Sequence, residues 1–161
     1  MIRIICCVLI LAVYPTRQSE AIERSMGNLD IRIVAVTPSG VIKVEMAAKK
    51  SHGVRVWRES NSWGAARWRV LVVRDGHVSA FVQDPDQIFT RNLPGFIEIS
   101  GSAQFSLDPA KSTWLSSAGR SFNVKGGDVI IAIYDVPASK EARDMNVWYG
   151  TVVATSTMSR N

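Results

Sequence analysis

Short apolar runs with a period of two recur along this chain, and turn-forming residues separate them. Successive side chains of a β-strand point to opposite faces, so this alternation is typical of strands that bury one face. Nine such runs, rich in valine, isoleucine and aromatic residues, occupy residues 29–36, 41–47, 54–57, 67–73, 77–83, 96–100, 103–107, 128–136 and 147–155. Strands this short and this numerous predict an all-β sandwich or barrel.

Signals for turns and helices are few. Asp75-Gly76, between two of the runs, predicts a type I′ hairpin turn because both residues tolerate a positive φ. One helical signal spans residues 137–145, where Ser139 is the predicted N-cap of one or two turns. The fold should therefore contain one short helical segment, near residues 138–145, between its last two strands.

Within the run over residues 128–136, the segment VIIAIY (129–134) is apolar on both of its faces. Such a pattern predicts a central strand that is covered on both sides, whereas residues 29–36 alternate like a strand with one face in water.

The first 21 residues carry the features of a secretory leader. Arg3 precedes an apolar run from Ile4 to Tyr14, and these 11 residues are too few for a membrane-spanning helix, which needs roughly 20. Ser19 and Ala21 are small residues that suit cleavage before residue 22. The alternatives to a cleaved leader are that the apolar run forms a buried N-terminal strand or that it stays in place as an uncleaved membrane anchor. The sequence predicts a signal peptide over residues 1–21, a linker over 22–27, a sandwich domain over 28–156 and a tail over 157–161.

Both cysteines, Cys6 and Cys7, lie inside the predicted leader, so the processed chain would contain none. Small secreted animal domains usually rely on disulfides, whereas periplasmic proteins can do without them. The cysteine usage therefore favours an exported bacterial protein, either periplasmic or secreted, with no transmembrane span after cleavage.

The charge of the chain is mildly positive. Its formal value of +5 falls to +4 when residues 1–21 are removed, because two arginines and one glutamate leave with them. So small an excess does not indicate a nucleic-acid site, and no nucleic-acid partner is expected.

Residue types that support catalysis or metal binding are sparse. A nucleophile needs a base within reach, but the two histidines, His52 and His77, lie in predicted turns and no Gly-x-Ser-x-Gly motif occurs. Isolated histidines without thiolates do not make a zinc site, and Asp84 and Asp86 lack the further oxygen ligands of a calcium loop. A pair of carboxylates that cleaves glycosides is not excluded by the sequence, because the two members of such a pair can be far apart in the sequence and close together in the fold. We expect a non-catalytic chain with no cofactor and no metal site.

Residues 54–70 hold three of the five tryptophans and four arginines. The pattern predicts a strand, a loop and a strand. If the two strands paired as a hairpin, Trp57 opposite Arg67 would create an arginine–tryptophan ladder, and a shift of one residue would pair Trp57 with Trp68 instead. The sequence does not determine the register. Because arginine commonly covers tryptophan in stable sheets, a structural role is favoured over a ligand platform.

The loop between these two strands contains Trp63, an aromatic side chain with no strand to bury it. Trp63 therefore either plugs the end of the sandwich or marks a contact site. Trp68, in contrast, shares a strand face with Val70 and Val72 and is predicted to be core. The candidate protein contacts are Arg55, Trp57, Asn61 and Trp63.

Residues 89–108 with the following Trp114, and residues 128–155, carry a resemblance to a known group of proteins. Together with the earlier Asn-Ser-Trp-Gly loop, they resemble small exported bacterial proteins with an immunoglobulin-like β-sandwich and no assigned function. The resemblance covers residues 54–155. It implies an antiparallel sandwich of about seven to nine strands and an exported location, and it implies no catalytic residues.

These observations predict an exported, non-catalytic β-sandwich module that binds a protein or an envelope component. The alternative is an inhibitor or immunity-type protein that caps another protein's active site with the loop around Trp63. An enzyme of unrecognised type is less favoured than either. The sequence determines neither the partner nor the oligomeric state.

Overall fold

The computed structural model describes residues 28–49, 52–84, 93–109, 114–116 and 122–159 of the 161-residue chain. The predicted leader over residues 1–21 and the linker over 22–27 lie outside the described residues, as do Asp86 and the last two residues of the tail. The leader and its cleavage site stay predictions.

Antiparallel strands make up most of the described chain. The strands are β1 (Leu29–Val36), β2 (Ile42–Ala48), β3 (Val54–Trp57), β4 (Trp68–Arg74), β5 (His77–Gln83), β6 (Phe96–Ile99), β7 (Ser102–Leu107), β8 (Trp114–Ser116), β9 (Val129–Val136) and β10 (Gly150–Thr157). Two short helices, α1 (Ser62–Ala65) and α2 (Lys140–Asp144), lie between strands. All nine predicted strands are present, and β8 was missed because three residues are too few to display a period.

The strands form three hydrogen-bonded sheets, with the orders β1-β2-β7, β10-β9-β4-β5-β8 and β3-β6. The two larger sheets face each other across one apolar core, where the ring of Trp68 on β4 lies 6.1 Å from that of Phe105 on β7. The chain is an all-β sandwich, as predicted.

The turn and the helix predicted from the sequence are both confirmed, but the expectation of a single helical segment is wrong, because α1 forms within the segment predicted as a loop, where Asn61 is its N-cap. Asp75 and Gly76 have φ angles of 50° and 78° between β4 and β5, as a type I′ turn requires. Ser139 caps α2, since its hydroxyl oxygen accepts a hydrogen bond from the Ala142 backbone N–H at 3.1 Å.

The hairpin considered for residues 54–70 does not form. β3 pairs with β6, so that Trp57 is the partner of Phe96, whereas β4 pairs with β5 and β9. Neither register weighed from the sequence therefore applies. The reason lies in the connecting segment, which contains α1 and leads the chain from one sheet into another.

Candidate functional site

Trp57 and Asn61, two of the four predicted contact residues, are buried. The Trp57 backbone N–H donates to the Tyr134 hydroxyl at 3.3 Å, and the ring of Trp57 lies 5.3 Å from that of Trp63. The Asn61 amide is used internally, because its Oδ1 accepts from the Gly64 N–H at 3.2 Å and its Nδ2 donates to the Leu93 carbonyl at 2.9 Å. These contacts make Asn61 the N-cap of α1.

Trp63 and Arg55, the other two predicted contacts, are half-buried. Trp63 packs against the core through Trp57, which is the arrangement of a plug at the end of the sandwich. The Arg55 guanidinium lies over the ring of Phe96, 4.5 Å from its centroid, and 3.4 Å from the Glu98 carboxylate. The structure thus brings these residues to one end of the fold, and their role as contacts with a partner stays a prediction.

Gly64 of α1 lies too close to the preceding chain for any side chain. A Cβ atom at this position would lie 2.2 Å from the Arg58 carbonyl oxygen, which is a backbone atom and cannot rotate away as a flexible side chain could. We expect Gly64→Ala to destabilise the protein by about 1–3 kcal/mol, as overpacking does. Gly101→Ala is the matched control, because a Cβ there meets no atom within 4 Å. Equal urea midpoints for the two variants would contradict the expectation.

Glu59 is a titratable group enclosed at the same end of the sandwich. Burial raises its pKa from 4.5 to about 7, and the nearby Trp68 indole N–H opposes part of this rise. Among the described residues, neither Glu59 Oε1 nor Trp68 Nε1 has a partner in hydrogen-bond geometry. Ionising a buried carboxyl group that has one oxygen without such a partner is costly, so the protonated acid is the form that the folded chain favours.

A small pocket of about 280 Å³ lies at the opposite end of β4. Its lining includes Val72, Arg74, His77, Ser79, Phe81 and Asn123. The positive charge of Arg74 is already matched, because its guanidinium binds both oxygens of the buried Asp128 carboxylate, at 2.8 and 2.6 Å. The volume of the pocket lies just below the usual range for ligand sites. The ion pair of Arg74 and Asp128 therefore serves to connect β4 with the start of β9.

The Asp128 carboxylate holds this link together, and we expect Asp128→Asn to destabilise the fold by about 2 kcal/mol. The Arg74 side chain, together with the Lys125 backbone N–H at 2.7 Å, holds the pKa of Asp128 below its usual value. A depressed pKa gives stability that is present above the unfolded-state pKa and is lost as the pH falls through the folded-state pKa. Acid titration of the unfolding free energy should therefore be less steep for Asp128→Asn, and an unchanged slope would contradict the assignment.

The outward side of the five-stranded sheet is mostly apolar, and its polar residues are the threonines of β10 (Thr151, Thr155 and Thr157) and the ion pair of Arg69 and Asp135. Register places Leu71 and Val73 of β4 on this side, level with Ile131 and Val129 of β9. We call the full set the apolar face: Leu71, Val73, Val78, Ala80, Val82, Leu115, Val129, Ile131, Ile133 and Val153. None of these side chains is fully buried, and Val78, Val82, Leu115 and Val153 are exposed.

The outward side of the three-stranded sheet has the opposite character. It presents Arg32, Lys43, Glu45, Gln104 and Ser106, and the Arg32 guanidinium pairs with the Glu45 carboxylate at 2.8 Å. One side of the sandwich is therefore an ordinary wet surface, and the other exposes a contiguous apolar patch, which monomeric proteins rarely do unless it is used.

The apolar face was not predicted from the sequence, although a signal for it was present. The pattern of β9 predicts a central strand covered on both sides, and β9 does lie between β10 and β4. Its side chains at Ile130 and Tyr134 are buried, whereas those at Ile131 and Ile133 are only half-buried. The strand is central as expected, but no element of the described chain packs over the outward side chains of β9, which the sequence pattern predicted to be buried.

Within the described ranges, no three His, Cys, Asp or Glu side chains cluster as metal ligands would. In the same ranges, no helix has the length and apolar character needed to cross a membrane. Comparison with protein-family models, with curated proteins and with solved structures found no match to this chain.

Proposed function

We propose that this chain is an exported, non-catalytic β-sandwich module of immunoglobulin-like type that binds a protein through its apolar face. The observation that carries the proposal is the contrast between the two outward sides of the sandwich. A contiguous patch of ten apolar residues on one side, with an ion-paired polar surface on the other, is the pattern expected when one side of a protein is used for an interaction.

The alternative of an inhibitor that inserts the loop around Trp63 has weaker support. Such a protein should present a protruding segment, whereas Asn61 and Gly64 are buried and Trp63 packs on Trp57. The side chains that an inhibitor would offer are already engaged within the fold.

The binding proposal is tested by placing a photo-crosslinking amino acid at single positions in the cells that naturally produce the chain. Val82 and Val153 lie in the apolar face, and Val34 on β1 is the matched control, since Val82 is 38% exposed and Val34 is 39% exposed. We expect covalent protein adducts from the two face positions and none from Val34. Absence of adducts, or equal adducts at all three positions, would overturn the proposal.

Export is tested separately by the intact mass of the natural protein. We expect a chain that begins at Ile22 and is recovered from the cell envelope or the medium. A chain that begins at Met1 and is recovered from the cytosol would contradict export, whatever the outcome of the crosslinking.

A further inference from the structure

We propose that the partner of the apolar face is a second copy of this chain, so that two sandwiches pack face to face about a two-fold axis. This inference rests on the proposed function and names the occupant of the same surface. Three features of the face support this partner: its area, its charge and its shape.

The area of the face matches the needs of a modest dimer. Five neighbouring strands span roughly 24 Å at about 4.8 Å each, and the six-residue overlap of β4 with β9 gives a height of roughly 20 Å. If the whole outward side took part, with the threonines of β10 around the apolar face, each copy would bury roughly 500 Å². The pair would bury about 1,000 Å², which is the lower limit for a specific interface. An interface at this lower limit is typical of weak, reversible association rather than of a permanent dimer.

The charges at the face are balanced within one copy. Arg69 projects on the same side of the sheet as the apolar residues, and its guanidinium lies 3.4 Å from the Asp135 carboxylate. The ten residues of the apolar face carry no charge. Among the described strand residues on this side, Arg69 and Asp135 are the charged ones and they pair with each other, so a second copy meets no unpaired charge from the strands. A charged partner would find nothing complementary on these strands.

The shape of the face suits its own copy. Two sheets with the same twist stack at about 10 Å with their strands roughly 30° apart, as the sheets within a sandwich do. A two-fold axis presents the same patch from both chains, and here the axis would pass near the adjacent pair Leu71 and Ile131. The exposed Val82 and Val153 would then lie on opposite sides of the axis, within the contact.

Sedimentation of the natural protein, purified from the cells that produce it, at increasing concentration tests the dimer. We expect the average mass to rise from that of one chain towards that of two, and added sodium chloride to strengthen the association, because salt screens the repulsion between two positive chains. Val82→Lys and Val153→Lys should each weaken association at least tenfold, with Val34→Lys unchanged, and circular dichroism should show that all three variants fold. A single-chain mass at all concentrations, or equal loss in Val34→Lys, would overturn the dimer.

The identity of the photo-crosslinked adducts separates this inference from the function on which it rests. Adducts of two identical chains support both. Adducts with a different protein, together with a single-chain mass in sedimentation, overturn the dimer and leave the binding function intact. An internal link to residues 1–27 shows that the chain covers its own face and overturns both. Absence of any adduct, with a single-chain mass, also overturns both.

Discussion

Replacing Trp68 with alanine should destabilise the protein by about 3–5 kcal/mol, which is most of the stability of a small domain. The side chain is 0% exposed, and its ring lies 4.9 Å from that of Tyr134 and 6.1 Å from that of Phe105. These two rings belong to β9 and β7, so Trp68 joins the two large sheets, and its removal leaves a cavity that neither sheet can fill. Urea denaturation followed by far-ultraviolet circular dichroism measures the loss.

Trp63→Ala is the matched comparison, because it removes the same side chain from a half-buried position. The sequence, which placed Trp63 in a loop, predicts a cost of about 1 kcal/mol, and its packing on Trp57 raises our expectation to about 1–2 kcal/mol. Trp68→Phe should recover part of the stability, since it keeps an aromatic ring between the sheets. A larger loss for Trp63→Ala than for Trp68→Ala would mean that the packing of α1, and not the ring of Trp68 between the two large sheets, holds the core together.

Glu59 should make the protein less stable as the pH rises from about 4.5 to about 7. Its folded-state pKa of about 7 lies above the ordinary value of 4.5, so the folded chain retains a proton that the unfolded chain releases. The stabilising contribution is complete below the unfolded-state pKa and is lost as the pH passes through the folded-state pKa. A shift of this size corresponds to about 3 kcal/mol. Glu59→Gln, which cannot ionise, should therefore be more stable than wild type at pH 8 by about that amount, with little difference at pH 4.5.

Urea denaturation at pH 4.5, 6 and 8 measures this difference. Glu98→Gln is the control, because it removes one negative charge from an exposed strand position and so separates burial from a change in net charge. If Glu59→Gln kept the full pH dependence of wild type, the Glu59 carboxylate would reach water in the folded protein and the assignment would fail.

The strands could be predicted because their signal is local. The alternation of apolar and polar residues within 29–36 and 77–83 is enough to predict these strands. In the same way, Asp75-Gly76 alone predicts the turn between β4 and β5. Pairing has no such signal. β3 pairs with β6 and not with β4, and Val56 lies opposite Ile97. Nothing in the sequence around Val56 indicates that this distant residue is its partner.

The candidate surface was harder to read than the fold. Trp57 and Asn61 were singled out because large aromatic and polar loop residues often make contacts, yet the core accommodates both. The apolar face consists instead of ordinary valine, leucine and isoleucine residues on five strands, each unremarkable alone. Only the register across the sheet brings them together, so the patch becomes visible when the strand order is known.

The strand order of the five-stranded sheet also governs when the protein can fold. β4 pairs with β9, so the strand that contains Trp68 cannot complete its pairing until the chain has been made as far as Tyr134. β10, which pairs with β9, is made later still. Pairings so distant in sequence raise the contact order and predict refolding on the millisecond-to-second scale. A nascent chain would accordingly remain loose until its last strands emerge from the ribosome. Secretion pores transport unfolded polypeptides. The slow folding that this strand order imposes would therefore favour the export that we propose.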